Sequence, residues 1–210
     1  ASLLLVLLPL YFLKRQAKAL HETTSIGRVF TYFGSLGLAF LMIEIAFIQK
    51  FMRFLHHPVF TAAVVLASFL VFAGLGSSWS RRHSAGGMQR TGMLLATIGI
   101  VLTGFVHLFV LDYLFSWLSA WPLTARMATS ILLIAPLAFF MGTPFPLALS
   151  SVGDKASSLI PLAWAVNGCA SVLSAVLATL LAIHFGFFTV VVLALVLYAA
   201  AAGLFPAADN

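Results

Sequence analysis

What this sequence lacks is charge and cysteine. Only 8% of its 210 residues are Asp, Glu, Lys or Arg, and Cys169 is the single cysteine. Soluble domains carry charge on about a quarter of their residues, so a soluble enzyme domain is excluded. One cysteine builds neither a disulfide framework nor a cysteine-based zinc or iron–sulfur site. No nucleophile-and-base constellation, phosphate-binding loop or cofactor fingerprint occurs. Gly74-Leu75-Gly76 and Gly86-Gly87 lack the strand and helix context that a phosphate-binding loop needs.

What the chain has is apolar length: 62% of it is hydrophobic, and the mean hydropathy is +1.12. A bilayer-spanning helix takes about 20 apolar residues, so there is material for about six spans and little for a separate soluble core. The formal charge of +6 would point to nucleic acid in a soluble domain. Here the eleven Lys and Arg residues stand at the ends of apolar runs and read as topology signals, with no nucleic-acid partner.

The chain opens inside an apolar run, residues 2–13, that stops at Lys14-Arg15. A signal peptide carries its positive charge before the apolar stretch, so the expectation is the tail of a span that starts outside the sequence. Residues 1–27 then form that tail plus a polar connector. Residues 28–206 hold six complete spans, and residues 207–210 a short tail. The spans are expected at about 29–55, 59–75, 91–111 with a possible extension to 118, 124–141, 159–186 and 187–204. The glycines and serines of 74–78 close the second, and the fourth breaks or bends at Pro144 and Pro146, which remove backbone donors. The expected fold is therefore an all-α transmembrane helix bundle. Six spans with a basic loop after the second are also what one half of a major-facilitator-type fold presents.

With the connectors placed alternately on two sides, Lys14, Arg15, Lys18, Arg28, Arg81, Arg82, Arg90 and Lys155 share one side, and Lys50, Arg53 and Arg126 the other. The positive-inside rule then puts the N-terminal connector, the 81–90 loop and the C-terminus in the cytoplasm.

Glu44 is the leading candidate for an intramembrane polar centre, because an ionisable group deep in a span is costly and is by default a functional hypothesis. It lies sixteen residues after Arg28, roughly 24 Å along a helix. Gly34 and Gly37 on its face admit a close neighbour. Two readings stay open: a proton relay or cation site, and a protonated carboxyl hydrogen-bonded to another helix. His107 falls at a similar depth, so a Glu44–His107 pair and a satisfied interior histidine are both open. Asn167, Gly168, Ser171, Ser174 and Ala178 set small and polar groups at helical spacing, a packing face first and a substrate path second. Gln49, Arg53, His56 and His57 belong at the interface, where the two histidines could meet a metal, a haem propionate, a lipid phosphate or nothing. Adjacent histidines point apart on a helix, and no metal is expected. A haem or pigment would need histidines facing each other, which His107 with His184 alone offers; no cofactor is expected in this chain.

Three stretches together resemble a known family. The first is residues 32–51, running from Tyr32 through Gly34, Gly37 and Glu44 to Lys50 and Phe51, followed by Leu55-His56-His57-Pro58 and Phe72-Ala73-Gly74-Leu75-Gly76-Ser77. The others are Met141-Gly142-Thr143-Pro144-Phe145-Pro146 and residues 163–172 around Trp164, Asn167 and Gly168. They are similar to the C-terminal membrane region of bacterial integral-membrane spermidine-synthase-like (SAM-dependent-methyltransferase-like) proteins. The resemblance implies a bacterial inner-membrane location. It also implies that any aminopropyltransferase-like domain lies outside these residues, so no catalytic residue carries over. The expected function is a membrane anchor and transport path without catalysis of its own, in contact with membrane lipids and with other transmembrane subunits or a further part of the same polypeptide. The rival expectation is a non-catalytic structural subunit of a respiratory or photosynthetic membrane complex.

Overall fold

The structure is a computed structural model and describes residues 23–85 and 88–205. The expected partial span, most of the N-terminal connector and the C-terminal tail lie outside the described residues. Six helices follow in order: α1 (Thr23–Leu55), α2 (Pro58–Ala85), α3 (Gln89–Leu118), α4 (Leu123–Met141), α5 (Pro144–Ala156) and, after one 3-10 turn at Ser157–Leu159, α6 (Ile160–Gly203). No strand is present among the described residues. Among the described residues, five stretches are long and apolar enough to cross a membrane: Ile26–Leu55, Pro58–Arg82, Gln89–Leu118, Leu123–Gly153 and Ser157–Gly203. Helix throughout is what a hydrocarbon solvent dictates, since each backbone N–H and C=O must find its partner within the segment.

The 44 residues of α6 are two arms joined at Gly186, whose φ of 81° and ψ of 173° interrupt the helix. That region of backbone space is essentially reserved for glycine. The contacts of the arms run in opposite directions along α1. In the first arm, hydroxyls of Ser171 and Ser174 reach the Gly37 and Leu38 carbonyls at 3.3 and 2.6 Å. In the second, Phe187 meets Phe47 at 5.7 Å between centroids and Phe205 meets Tyr32 at 5.9 Å, so the chain travels back toward the start of α1. The central helix α1 is thus held by an antiparallel helical hairpin.

On the other flank α2 packs on α4. A Cβ on Gly76 would overlap the Phe139 carbonyl, and one on Gly142 would overlap the Ala73 backbone. This contact explains a departure from expectation. The 74–78 segment does not close the second span; α2 continues helically to Ala85, and Gly76 serves a helix crossing and not a turn. At Gly142-Thr143 the backbone stays near-helical, and Pro144 starts α5 as its first residue, a position where a missing N–H costs nothing. Pro136 is accommodated inside α4.

The core is built from rings and small residues. Tyr32, Phe33, Phe47, Phe51 and Phe69 are fully buried, and Ala39, Ala138, Ala163, Ala178, Ala194 and Ala201 let the helices approach. Outward faces are apolar as well: Leu70, Leu132 and Ile183 are 78%, 71% and 69% exposed. Apolar surface of that extent on every flank suits lipid as the surrounding solvent.

Candidate functional site

The α1–α6 seam explains how a polar site arises inside so apolar a bundle. Gly37 has no side chain, so the Asn167 carbonyl sits where a Cβ would stand. The backbones are then close enough for Ser174 to donate across the gap to the Leu38 carbonyl, while the one hydroxyl proton of Ser171 is shared between its own helix at Asn167, 2.9 Å away, and the Gly37 carbonyl, 3.3 Å away. Gly34 is less demanding, its Cβ position lying 3.5 Å from Val166. Gly168, grouped with this face by its spacing, points outward with nothing within 4 Å.

Beside the seam is a cavity of about 320 Å³, lined by Leu36, Phe40 and Leu41 of α1, Met141 and Gly142 at the α4 break, Phe145 of α5, Asn167 and Ser171 of the first α6 arm and Tyr198 of the second. Its polar groups therefore come from both arms of the hairpin. The helix break that follows Met141 forms part of its wall, through Met141, Gly142 and Phe145.

Glu44 follows Leu41 by one turn on the same face of α1. It is half-buried, and it makes no hydrogen bond or ion pair with any described residue. Tyr198 is near enough to feel its charge. Tyr198 is itself 1% exposed and borders the cavity, within electrostatic reach of Tyr32 as well. The Tyr32 hydroxyl donates to the Pro144 carbonyl at 3.0 Å and lies 3.4 Å from Met93 Sδ. It ties α1 to the first residue of α5, next to the break.

His107 and Glu44 are not paired. Nδ1 of His107 lies 2.5 Å from the Thr103 carbonyl and Nε2 2.9 Å from the Leu133 carbonyl, and its ring rests on Phe47 at 5.3 Å. The ring lies beside Phe47, one turn beyond Glu44 on α1, and the side chain joins α3 to α4. A neutral imidazole has one N–H, so of these two contacts only one is a donated hydrogen bond unless the ring is charged. His184 is exposed and bonds the Leu180 carbonyl at 2.8 Å.

At the opposite ends of the helices, His56 and His57 form the α1–α2 connection. His56 adopts a left-handed φ of 58°, and its N–H bonds the Met52 carbonyl at 3.0 Å, which is a left-handed helix cap. His57 packs its ring on Phe60 at 5.8 Å. Among the described residues, no group of three or more His, Cys, Asp or Glu side chains is placed to hold a metal. Gln49 and Arg53 line a separate cleft with Lys50 and Asp112.

Three side chains at or beside these cavities escape sequence reasoning. Tyr198 is, with Thr189, one of two polar side chains in residues 187–203, which is a readable signal. Asp112, near the end of the third span, pairs with Lys50 at 2.6 Å; an acid in an almost acid-free chain is a signal too. Tyr32 carries none, because tyrosines near span ends are ordinary interface residues. No family model, curated protein or solved structure matches the chain.

Proposed function

We propose that this chain is the membrane-embedded domain of a spermidine-synthase-like protein of the bacterial inner membrane, anchoring it and providing a path for protons or small cations centred on Glu44. The observation that carries the reading is a carboxylate far along a membrane helix with no hydrogen-bond or ion-pair partner among the described residues, one turn from a cavity edged by Asn167, Ser171 and Tyr198. An intramembrane carboxylate without a partner is expensive to keep, and exchange with a proton or cation gives it a use.

The architecture that encloses this path is six crossings. The reversal at Gly186 and the opposed contacts of the two α6 arms support counting α6 twice. Its arms of 26 and 17 residues (160–185 and 187–203) reach about 39 and 25 Å at 1.5 Å per residue. The N-terminal connector and the 81–90 loop then face the cytoplasm by the charge bias. The second reading, a structural subunit of a larger membrane complex, draws on the uncovered first arm of α6, where Val172, Val176 and Ile183 are exposed.

The test is flux through liposomes that contain the chain and an internal pH dye. Imposed proton or cation gradients dissipate with the native chain, and Glu44→Gln reduces that rate by about tenfold or more while Glu44→Asp retains part of it. Equal rates for the native chain and Glu44→Gln favour the structural reading.

A further inference from the structure

A second cavity, of about 350 Å³, opens where α1, α3 and the Gly186 turn meet. Its polar wall is Gln49, Lys50 and Arg53 of α1 with Asp112 of α3. Lys50 is committed: its ammonium lies 2.6 Å from Asp112 and 4.9 Å over the Phe187 ring, and its side chain is only 10% exposed. The pair cancels its own charge. Arg53 is exposed and makes no ion pair or hydrogen bond with any described residue, so the cleft keeps one unbalanced positive charge, on a guanidinium two residues from the end of α1.

The other side of the cleft is apolar and continues outward. Phe188 borders the cavity and meets Phe109 at 6.4 Å, which meets Phe105 at 4.8 Å. These three rings are 54%, 59% and 57% exposed. They run along α3 from the cleft toward the middle of that helix, so a cationic pocket at a helix end leads onto an exposed aromatic track toward the membrane interior. A guanidinium presents a planar fork that matches phosphate oxygens, and an acyl chain is the complement of the track. We propose that this cleft binds an anionic membrane phospholipid, its phosphate on Arg53 and Gln49 and one acyl chain along Phe188, Phe109 and Phe105. The site is separate from the Glu44 cavity and does not depend on the role assigned to it.

Native mass spectrometry of the full chain, released from micelles of mixed phosphatidylglycerol and phosphatidylcholine, tests this. The native chain retains phosphatidylglycerol over phosphatidylcholine by about tenfold, because both lipids offer a phosphate but the choline cation of the second cancels the net negative charge that Arg53 attracts. Arg53→Gln abolishes the preference, and Arg53→Lys keeps part of it. Phe109→Ala lowers retention without altering any charge. Arg90→Gln, the same charge change at the start of α3, leaves the preference intact. No preference in the native chain, or equal loss with Arg90→Gln, overturns the proposal. Inorganic phosphate or glycerol phosphate displacing the lipid at low millimolar concentration also overturns it, by assigning the cleft to a free anion.

Discussion

At the scale of single residues, two histidines show how depth and direction differ in what a sequence carries. The distance of His107 from Arg90 gives its depth, and the structure places it one turn beyond Glu44, against Phe47. Its lateral direction depends on how α3 is rotated, which the near-uniform hydrophobicity of residues 91–118 does not encode. The ring therefore turns to the Leu133 carbonyl of α4, and Glu44 is left without it. His56 is a backbone residue before it is a ligand. Its left-handed φ of 58° burdens a residue with a Cβ by about 1–2 kcal/mol. His56→Gly is expected to stabilise the chain by up to about 1 kcal/mol, after the greater unfolded-state freedom of glycine is subtracted. Thermal unfolding in detergent reads this as a higher midpoint. His56→Ala gives no such gain, because alanine keeps the Cβ; a stabilising His56→Ala would contradict the cap assignment.

At the scale of helices, the glycines divide into those that set a crossing and those that do not. Gly37 and Gly142 each face a neighbouring backbone where a Cβ would stand. Gly37→Ala and Gly142→Ala are each expected to destabilise by about 1–3 kcal/mol, the usual cost of forcing a methyl into a packed contact. Gly74→Ala meets nothing within 4 Å, and alanine improves on glycine in a helix by up to about 1 kcal/mol. Denaturant titration in detergent separates the three, and a loss of stability in Gly74→Ala as large as in Gly37→Ala would refute the crossing geometry. The spacing of Gly34, Gly37 and Glu44 marks this face of α1 in the sequence. It does not say which glycine is tight, since that depends on where the Asn167 carbonyl of α6 lands. The same blindness accounts for 74–78: two glycines and two serines read as a stop in isolation, whereas the helix runs through them and Gly76 packs on Phe139. The break at Pro144 was legible because a missing N–H is a local property.

At the scale of the whole molecule, composition and run length sufficed for a helical membrane protein, since apolar runs of about 20 residues suit a helix that pairs its own backbone and not the short alternating strands of a barrel. The number of crossings is a finer matter, and it rests on one residue. Residues 160–203 hold no charge and no proline after Pro161, so only the combination of His184, Phe185 and Gly186 marks a turn. In the structure Gly186 supplies the backbone reversal, and with it both arms of α6 bring groups to the same cavity: Asn167 and Ser171 from one, Tyr198 from the other. The proposed six crossings require these two arms to traverse the membrane in opposite directions. Cysteine accessibility tests that most directly. In a Cys169→Ala background, single cysteines replace Arg90, Ser119, Ser158, His184 and Leu204, and a membrane-impermeant thiol reagent is applied from one side. Six crossings predict that cysteines at 119 and 184 label from the same side and those at 90, 158 and 204 from the other. A cysteine at 204 that labels with those at 119 and 184 would contradict the return crossing and, with it, the enclosed site around Glu44.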